Sequence, residues 1–306
     1  MNPSIRKKIG ALIPWKRQIR EFIFFIKGKP RNANGTFAKA ITKRHKVFWY
    51  TPEAEDIRQV FLNAQMPLEE WTNVSNWQRR LSNKYNSREF AVLHKCRVPQ
   101  LYWKGNDPEN IDFDSLPAHY VIRPVTGHSC NLVFLMNDNV NLMDGKVYQK
   151  EEIVSILKRE IKANPHRMFL VEEFLKTELS VHKIPDDYKL YMFNGEIACI
   201  QLINRFSAHT GKTSWYDENW KRLRNINSIY PVGSTQNAPA CFEEIKAHAR
   251  ALSKSYQTFV RIDFYATDRG AVFGEFTPTP GMGFHFTRYG NRLFGKYWNL
   301  YCKGLI

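Results

Sequence analysis

The sequence has no CxxC pair, and its five cysteines (Cys96, Cys130, Cys199, Cys241, Cys302) are scattered and odd in number. That argues against a disulfide framework or a zinc site and fits reduced thiols in a cytosolic protein. Long apolar runs are missing too. The longest, Phe22 to Ile26, is far short of the ~20 residues a membrane span needs. A secretory signal would need a longer apolar stretch and a small-residue cleavage site, and neither is present. There is no internal repeat and no sustained low-complexity segment. Acids are scarce at the front: residues 1–50 hold Glu21 alone against 13 Lys or Arg. The remainder holds 32 bases and 28 acids, so most of the net charge of +16 belongs to that first segment. A nearly neutral body argues against a nucleic-acid-binding core and for a basic arm that docks on something anionic.

Within that arm, Ile5, Ile9, Leu12 and Ile13 recur at helical spacing, as do Trp15, Ile19, Phe22, Ile23 and Ile26 after Pro14. Basic residues fill the other faces. Such a helix suits either packing on the body or lying on an anionic membrane through residues 5–27, and periodicity does not separate the two. Residues 29–46, with Pro30, Asn32, Asn34 and Gly35, read as a linker or loose arm.

In the body, patterning predicts helices over 53–72, 83–95, 150–163 and 240–256. Strands are expected at Pro99–Trp103, Tyr120–Pro124, Asn131–Met136 and Met168–Val171, the last ending in an acidic turn, Glu172-Glu173. Asn194-Gly195 marks a two-residue hairpin between Tyr188–Phe193 and Glu196–Ile203. Mixed strands and helices with several hairpins indicate α+β lobes, not a doubly wound sheet.

A final hairpin joins Phe259–Tyr265 to Ala271–Thr277. A three-residue loop closing with Thr267 opposite Ala271 would set Asp263 opposite Glu275 and Arg261 opposite Thr277, all on one face, with Ile262, Phe264, Val272 and Phe276 on the other. Two facing carboxylates repel unless a cation lies between them, and magnesium with nucleotide phosphates would supply one. A solvent-facing pair balanced by Arg261 is the plain alternative. His94, His128, His182 and His285 stand at no metal-ligand spacing.

Five stretches in order carry a resemblance: Asn83–Arg88, FDSLPAHYVIRPVTGHS at 113–129, FLVEEFL at 169–175, DYKLYMFNG at 187–195, and RIDFY through FGEFTPTPGMGF at 261–284. Together, over about residues 80–285, they resemble the ATP-grasp superfamily, in its teichuronopeptide-biosynthesis (TupA-like) type associated with bacterial surface polysaccharides. The resemblance implies an α+β fold holding ATP between two lobes. It divides the chain into an extension (1–50) and a catalytic region (51–306, with lobes near 51–118, 119–178 and 179–306).

It also implies roles. Lys84 and Arg123 would face the nucleotide phosphates, Arg123 standing where most members have Lys. Thr126, Gly127 and Ser129 belong to a lid loop poorer in glycine than usual. Glu172, Glu173, Phe174 and Leu175 resemble the hinge that meets adenine, and Glu178 would reach the ribose. Lys189 would follow the transferred phosphoryl group, and the turn Thr279–Gly283 resembles the loop beside the acceptor. Apart from the resemblance, Arg205 lies just past a strand as a candidate to bind substrate carboxylate or phosphate, and Arg261 is a further catalytic candidate. Asp263, Glu275 and Thr277 would bind Mg2+, or Mn2+ in its place, Thr277 replacing the usual Asn. The implied reaction joins a carboxylate-bearing glycan or sugar to an amine or amino acid through an acyl phosphate, in the cytoplasm or at the inner face of its membrane. Alternatives are an ATP-grasp kinase acting on a sugar hydroxyl and a non-enzymatic assembly protein with a degenerate nucleotide site. Nucleic acid is not an expected partner.

Overall fold

The structure, a computed structural model, describes residues 35–127 and 130–302. The amphipathic pattern of residues 5–27 lies outside them. Two antiparallel sheets organise the rest.

The first sheet runs in the order β1 (Leu101–Gly105), β6 (Phe169–Glu173), β2 (His119–Pro124), β3 (Phe134–Asn137), β4 (Val140–Asn141), β5 (Lys146–Val147). A helix of residues Lys150–Ala163 covers one face. Its Ile153 and Leu157 pack on Ile122, Phe134, Met136, Phe169 and Val171. Alternation sends Val121, Arg123 and Glu172 to the opposite face. The strand β6 continues through Glu172 and Glu173, where an acidic turn was expected. Pairing with Val121 and Tyr120 holds both residues extended.

The second sheet has the order β11 (Gly270–Thr277), β10 (Phe259–Thr267), β7 (Asp187–Phe193), β8 (Glu196–Arg205), β9 (Gly211–Tyr216). The Asn194-Gly195 turn closes β7 on β8 as expected, with φ of 50° and 98°, the left-handed pair such hairpins need. Beneath this sheet, Ile245, Ala249, Leu252 and Tyr256 of the helix Phe242–Tyr256 meet Leu190, Met192, Val260, Ile262 and Phe264 in the largest core. Phe90 of the helix Lys84–Leu93 joins it. The upper face is divided. At one end Tyr191, Phe193, Trp215 and Phe259 lie under two helices; the other end is polar and faces the first sheet.

Two expectations change here. The single helix over 53–72 is two short ones, Ala54–Gln59 and Leu68–Thr72. Pro67 disfavours helix at the residue before it, and Asn86 binds the released backbone at Val60 O (2.7 Å) and Leu62 N (3.0 Å). Residues 36–46, expected as a linker or loose arm, form most of helix α1 (Thr36–Trp49). Phe37 and Ile41 enter the upper apolar cluster beside Phe294 of helix α7 (Arg288–Tyr301). Arg44 is fully buried and donates to Phe259 O (2.6 Å) and Thr258 Oγ1 (2.9 Å).

Helix α1 also braces the loop after β11. Thr42 Oγ1 lies 3.2 Å from Met282 O, and His45 Nδ1 lies 3.3 Å from Thr279 Oγ1. Gly283 makes this fit possible, because a Cβ there would stand 2.5 Å from Ala38 O, and its φ is 85°. Gly281, at φ 55°, faces open space. Gly283→Ala should therefore lower stability by ~2–3 kcal/mol in urea titrations, against ~1 kcal/mol for Gly281→Ala. Equal effects would remove the bracing role.

Candidate functional site

The polar end of the second sheet is built by alternation. Asp187 and Lys189 on β7 point the same way as Arg261, Asp263 and Tyr265 on β10, opposite to the core-facing residues. Asp263 pairs directly with Glu275, and Arg261 with Thr277, the expected register. The route to it differs. The loop closes one residue tighter, with Thr267 opposite Gly270, and a bulge at Gly274 restores the offset between Asp263 and Phe264. Consequently Phe273, not Val272, enters the core beside Phe264.

Asp263 is only 2% exposed and is ringed by cations. Arg261 grips both of its oxygens, Nε to Oδ1 and Nη2 to Oδ2, each at 2.7 Å, and Nη2 also reaches Glu275 Oε1 at 3.2 Å. Lys189 Nζ donates to Asp263 Oδ2 and lies 3.5 Å from Asp187 Oδ2. Arg205 Nη2 meets the same Asp187 oxygen at 2.8 Å. Thr277 Oγ1 is 3.4 Å from Glu275 Oε1.

The first sheet and the helix Lys84–Leu93 complete the cleft. Asn83 caps that helix by accepting from Tyr85 N (2.9 Å) and Asn86 N (3.2 Å), which fixes Lys84 at its first turn. Lys84 N also donates to Val125 O (2.8 Å), and its Nζ lies 3.1 Å from Gly127 O. Arg123 Nε binds Glu172 Oε2 at 2.6 Å, while Glu172 Oε1 is buried without a hydrogen-bond partner among the described residues. Burial alone would push the Glu275 carboxyl up; Lys84, Arg261, Lys189 and Arg123 together hold it below its ordinary value instead. Burial, reinforced by Arg123, lowers Lys84, against the pull of Glu275 and Glu172. Five cations and four carboxylates thus share one cleft between the two sheets.

A family profile described as TupA-like ATP-grasp matches residues 68–298. The chain belongs to the TupA-like ATP-grasp family. Among solved structures, it is similar to the ATP-grasp ligase PsnB complexed with a minimal precursor, at 14% identity and TM-score 0.44, covering 75% of this chain and 63% of that one. It is also similar to D-alanine–D-alanine ligases from Bacillus anthracis (17%, TM-score 0.47, 72% and 68% covered) and Helicobacter pylori (15%, TM-score 0.46, 74% and 61%). The chain therefore spans less than two thirds of the PsnB and Helicobacter chains. A comparison with curated proteins found no match.

Of the residues singled out from the sequence, the fold gathers Lys84, Arg123, Glu172, Lys189, Arg205, Arg261, Asp263, Glu275 and Thr277 around this cleft. Thr126 and Gly127 border it beside Lys84, and Ser129 lies outside the described residues. Glu173 turns away: its carboxylate takes Arg269 Nη2 (2.7 Å) and Gln100 N (3.0 Å), and its own N–H is spent on Gln100 O. Glu178 is exposed and accepts from Ala240 N at 2.7 Å, among Cys241 and Tyr188 and apart from the cation cluster. Phe174 is buried with Leu135 and Met143, and Val121 packs there from the Arg123 face; Leu175 is buried as well. Two members of the ATP-grasp cleft were not singled out beforehand, Asp187 and Tyr265. Counting two residues back from Lys189 and two on from Asp263 would have found both.

Asp263 and Glu275 offer hard oxygens at one cross-strand position and Thr277 another at the next on the same face, where Arg261 with Lys189 already supply positive charge. Among the described residues no group of three or more His, Cys, Asp or Glu forms a metal cage. The residues fit Mg2+ only in its usual manner with nucleotides, one or two carboxylates plus phosphate oxygens and water.

Proposed function

We propose that the protein is an ATP- and Mg2+-dependent carboxylate–amine ligase acting on a bacterial surface polysaccharide or its precursor, forming an amide at a uronic-acid carboxyl. The observation that supports it most is the convergence of Lys84, Arg123, Lys189 and Arg261 on Glu275, in a cleft between two sheets. A Mg-nucleotide complex is a net anion carrying its own cation, which suits a cleft whose charges nearly balance without it.

In this reading Lys84 and Arg123 bind the phosphates, Arg123 as a planar fork where a Lys would be a point charge. The apolar patch of Val121, Leu135, Met143 and Phe174 receives the base, with backbone from 172–175 at its edge. Glu178 reaches the ribose only if the ligand-bound chain brings it closer. Asp263, Glu275 and Thr277 hold the metal, which supplies charge neutralisation on the phosphates. A carboxylate oxygen of the acceptor attacks the γ-phosphorus and ADP departs. The amine then attacks the acyl carbon, losing a proton as phosphate leaves, so an amide, ADP and phosphate are the products. Lys189 sits where it can follow the phosphoryl group; Arg261 and Arg205 orient the acceptor.

Among the described residues no helix is long and apolar enough to cross a membrane. The basic amphipathic pattern of residues 5–27 supports peripheral attachment to an anionic inner leaflet, which would bring a lipid-linked acceptor to the cleft.

ADP release, screened against uronic-acid acceptors with amines and read with product mass, tests the reaction. Amide and ADP should form only when acceptor and amine are both present. A phosphorylated sugar formed without amine would overturn the ligase reading in favour of a kinase.

A further inference from the structure

Asp263 can accept about four hydrogen bonds through its two oxygens. Three are taken: Arg261 occupies one position on each oxygen, and Lys189 takes the second on Oδ2. The position left is on Oδ1, so a divalent cation taken there would share the carboxylate with the Lys189 ammonium, and one bridging both oxygens would have to displace it. Arg261 is held as a planar fork on both oxygens and on Glu275. Lys189 is a point charge on a flexible stem, the more easily moved of the two.

Its alternative partner is already in place. Asp187 Oδ2 stands 3.5 Å from Lys189 Nζ, and the same oxygen is held by Arg205 Nη2 at 2.8 Å. Asp187 and Lys189 also share one face of β7, two residues apart, so the transfer needs only side-chain rotation. Without Asp187, a displaced ammonium would lose its 3.5 Å carboxylate partner while a metal ion and Arg205 stand near it, in a buried setting where that is costly.

We infer that Asp187 is a positioning residue that receives Lys189 when a divalent cation claims Asp263, keeping the ammonium in the cleft without letting it compete for the metal. This rests on the metal reading of Asp263 and Glu275 given above. It makes Lys189 a resident cation on Asp263 that a divalent ion must contend with, and it assigns Asp187 a role for which bare charge balance is not enough.

The test is Mn2+ binding to the full chain with saturating ADP, followed by electron paramagnetic resonance, which requires no turnover. Lys189→Met removes the competitor and should tighten Mn2+ about tenfold, whereas Asp187→Asn should weaken it about tenfold. In the Lys189→Met background, Asp187→Asn should lose most of its effect, falling to about twofold or less. A plain anion near the metal would weaken binding equally in both backgrounds, and that result would overturn the inference. Should Asp187→Asn fail to fold, Lys189→Met still decides: unchanged or weaker Mn2+ binding refutes displacement. Wild-type protein that binds no Mn2+ would overturn the metal reading itself and the inference with it, while bound Mn2+ without coupling overturns the inference alone.

Discussion

Asp263→Asn should abolish nucleotide turnover, lowering kcat by at least ~10^3-fold, because charge neutralisation by a metal is worth several kcal/mol in phosphoryl transfer. The carboxylate is buried on a paired strand, which fixes it where neither Glu275 opposite nor Asp187 on β7 occupies the same point. Stability should fall as well, though less than for an isolated buried ion pair, which loses ~3–5 kcal/mol when one partner is removed. Lys189 retains Asp187, and Arg261 retains Glu275, so ~2 kcal/mol is the expected cost. ADP release and a thermal melt on the same sample separate the two effects. A folded Asp263→Asn protein keeping a tenth of wild-type turnover would remove Asp263 from the chemistry.

Arg44→Ala should produce the largest loss of stability away from the cleft, ~3 kcal/mol, seen as a melting temperature lower by ~5–10 °C. Arg44 donates to Phe259 O and Thr258 Oγ1, with Pro278 O at 3.4 Å, and its guanidinium lies 4.9 Å from the Trp298 ring centroid and 5.7 Å from that of Phe259. Charge-assisted hydrogen bonds contribute ~1.5–3 kcal/mol each, and a desolvated cation–π contact about 2. Burial opposes them and pushes the guanidinium pKa down to about 10, so the net is well below their sum. Lys at this position keeps the charge but cannot span the same acceptors, and should recover less than half the loss. A melt within 2 °C or so of wild type would mean burial cancels the contacts entirely.

The cleft was legible in the sequence for reasons that are partly accidental. The pairing of Asp263 with Glu275 follows from a three-residue turn, yet the chain uses a two-residue turn and regains the register by a bulge at Gly274. Beyond the bulge the two routes agree; before it they differ, which is why Val272 and Phe273 were exchanged. Bulges leave little trace in a hydrophobic pattern when both neighbours are apolar. Helix α1 was hidden for another reason. Phe37, Ile41, Arg44 and Phe48 make a helical stripe, but a charged residue in the middle of it reads as a solvated face. Only the fold shows that Arg44 has backbone acceptors and aromatic rings waiting for it. The strand character of Glu172 and Glu173 was equally unreadable, because acidic pairs favour turns and their extended form depends on β2 beside them. Asp187, by contrast, was within reach of simple alternation.

The packing of α1 against α7 has a temporal consequence. Phe37 contacts Phe294 and Trp298, residues separated from it by most of the polypeptide. During synthesis α1 leaves the ribosome long before α7 exists, and must wait as an unpartnered apolar stripe until Phe294 and Trp298 emerge. The loop beyond Thr277, which α1 holds through Thr42, Arg44 and His45, cannot take its final shape earlier. A nascent chain already carrying every charged residue named in the cleft would therefore lack the support beside it, and competence would arrive only once the turns of α7 are translated.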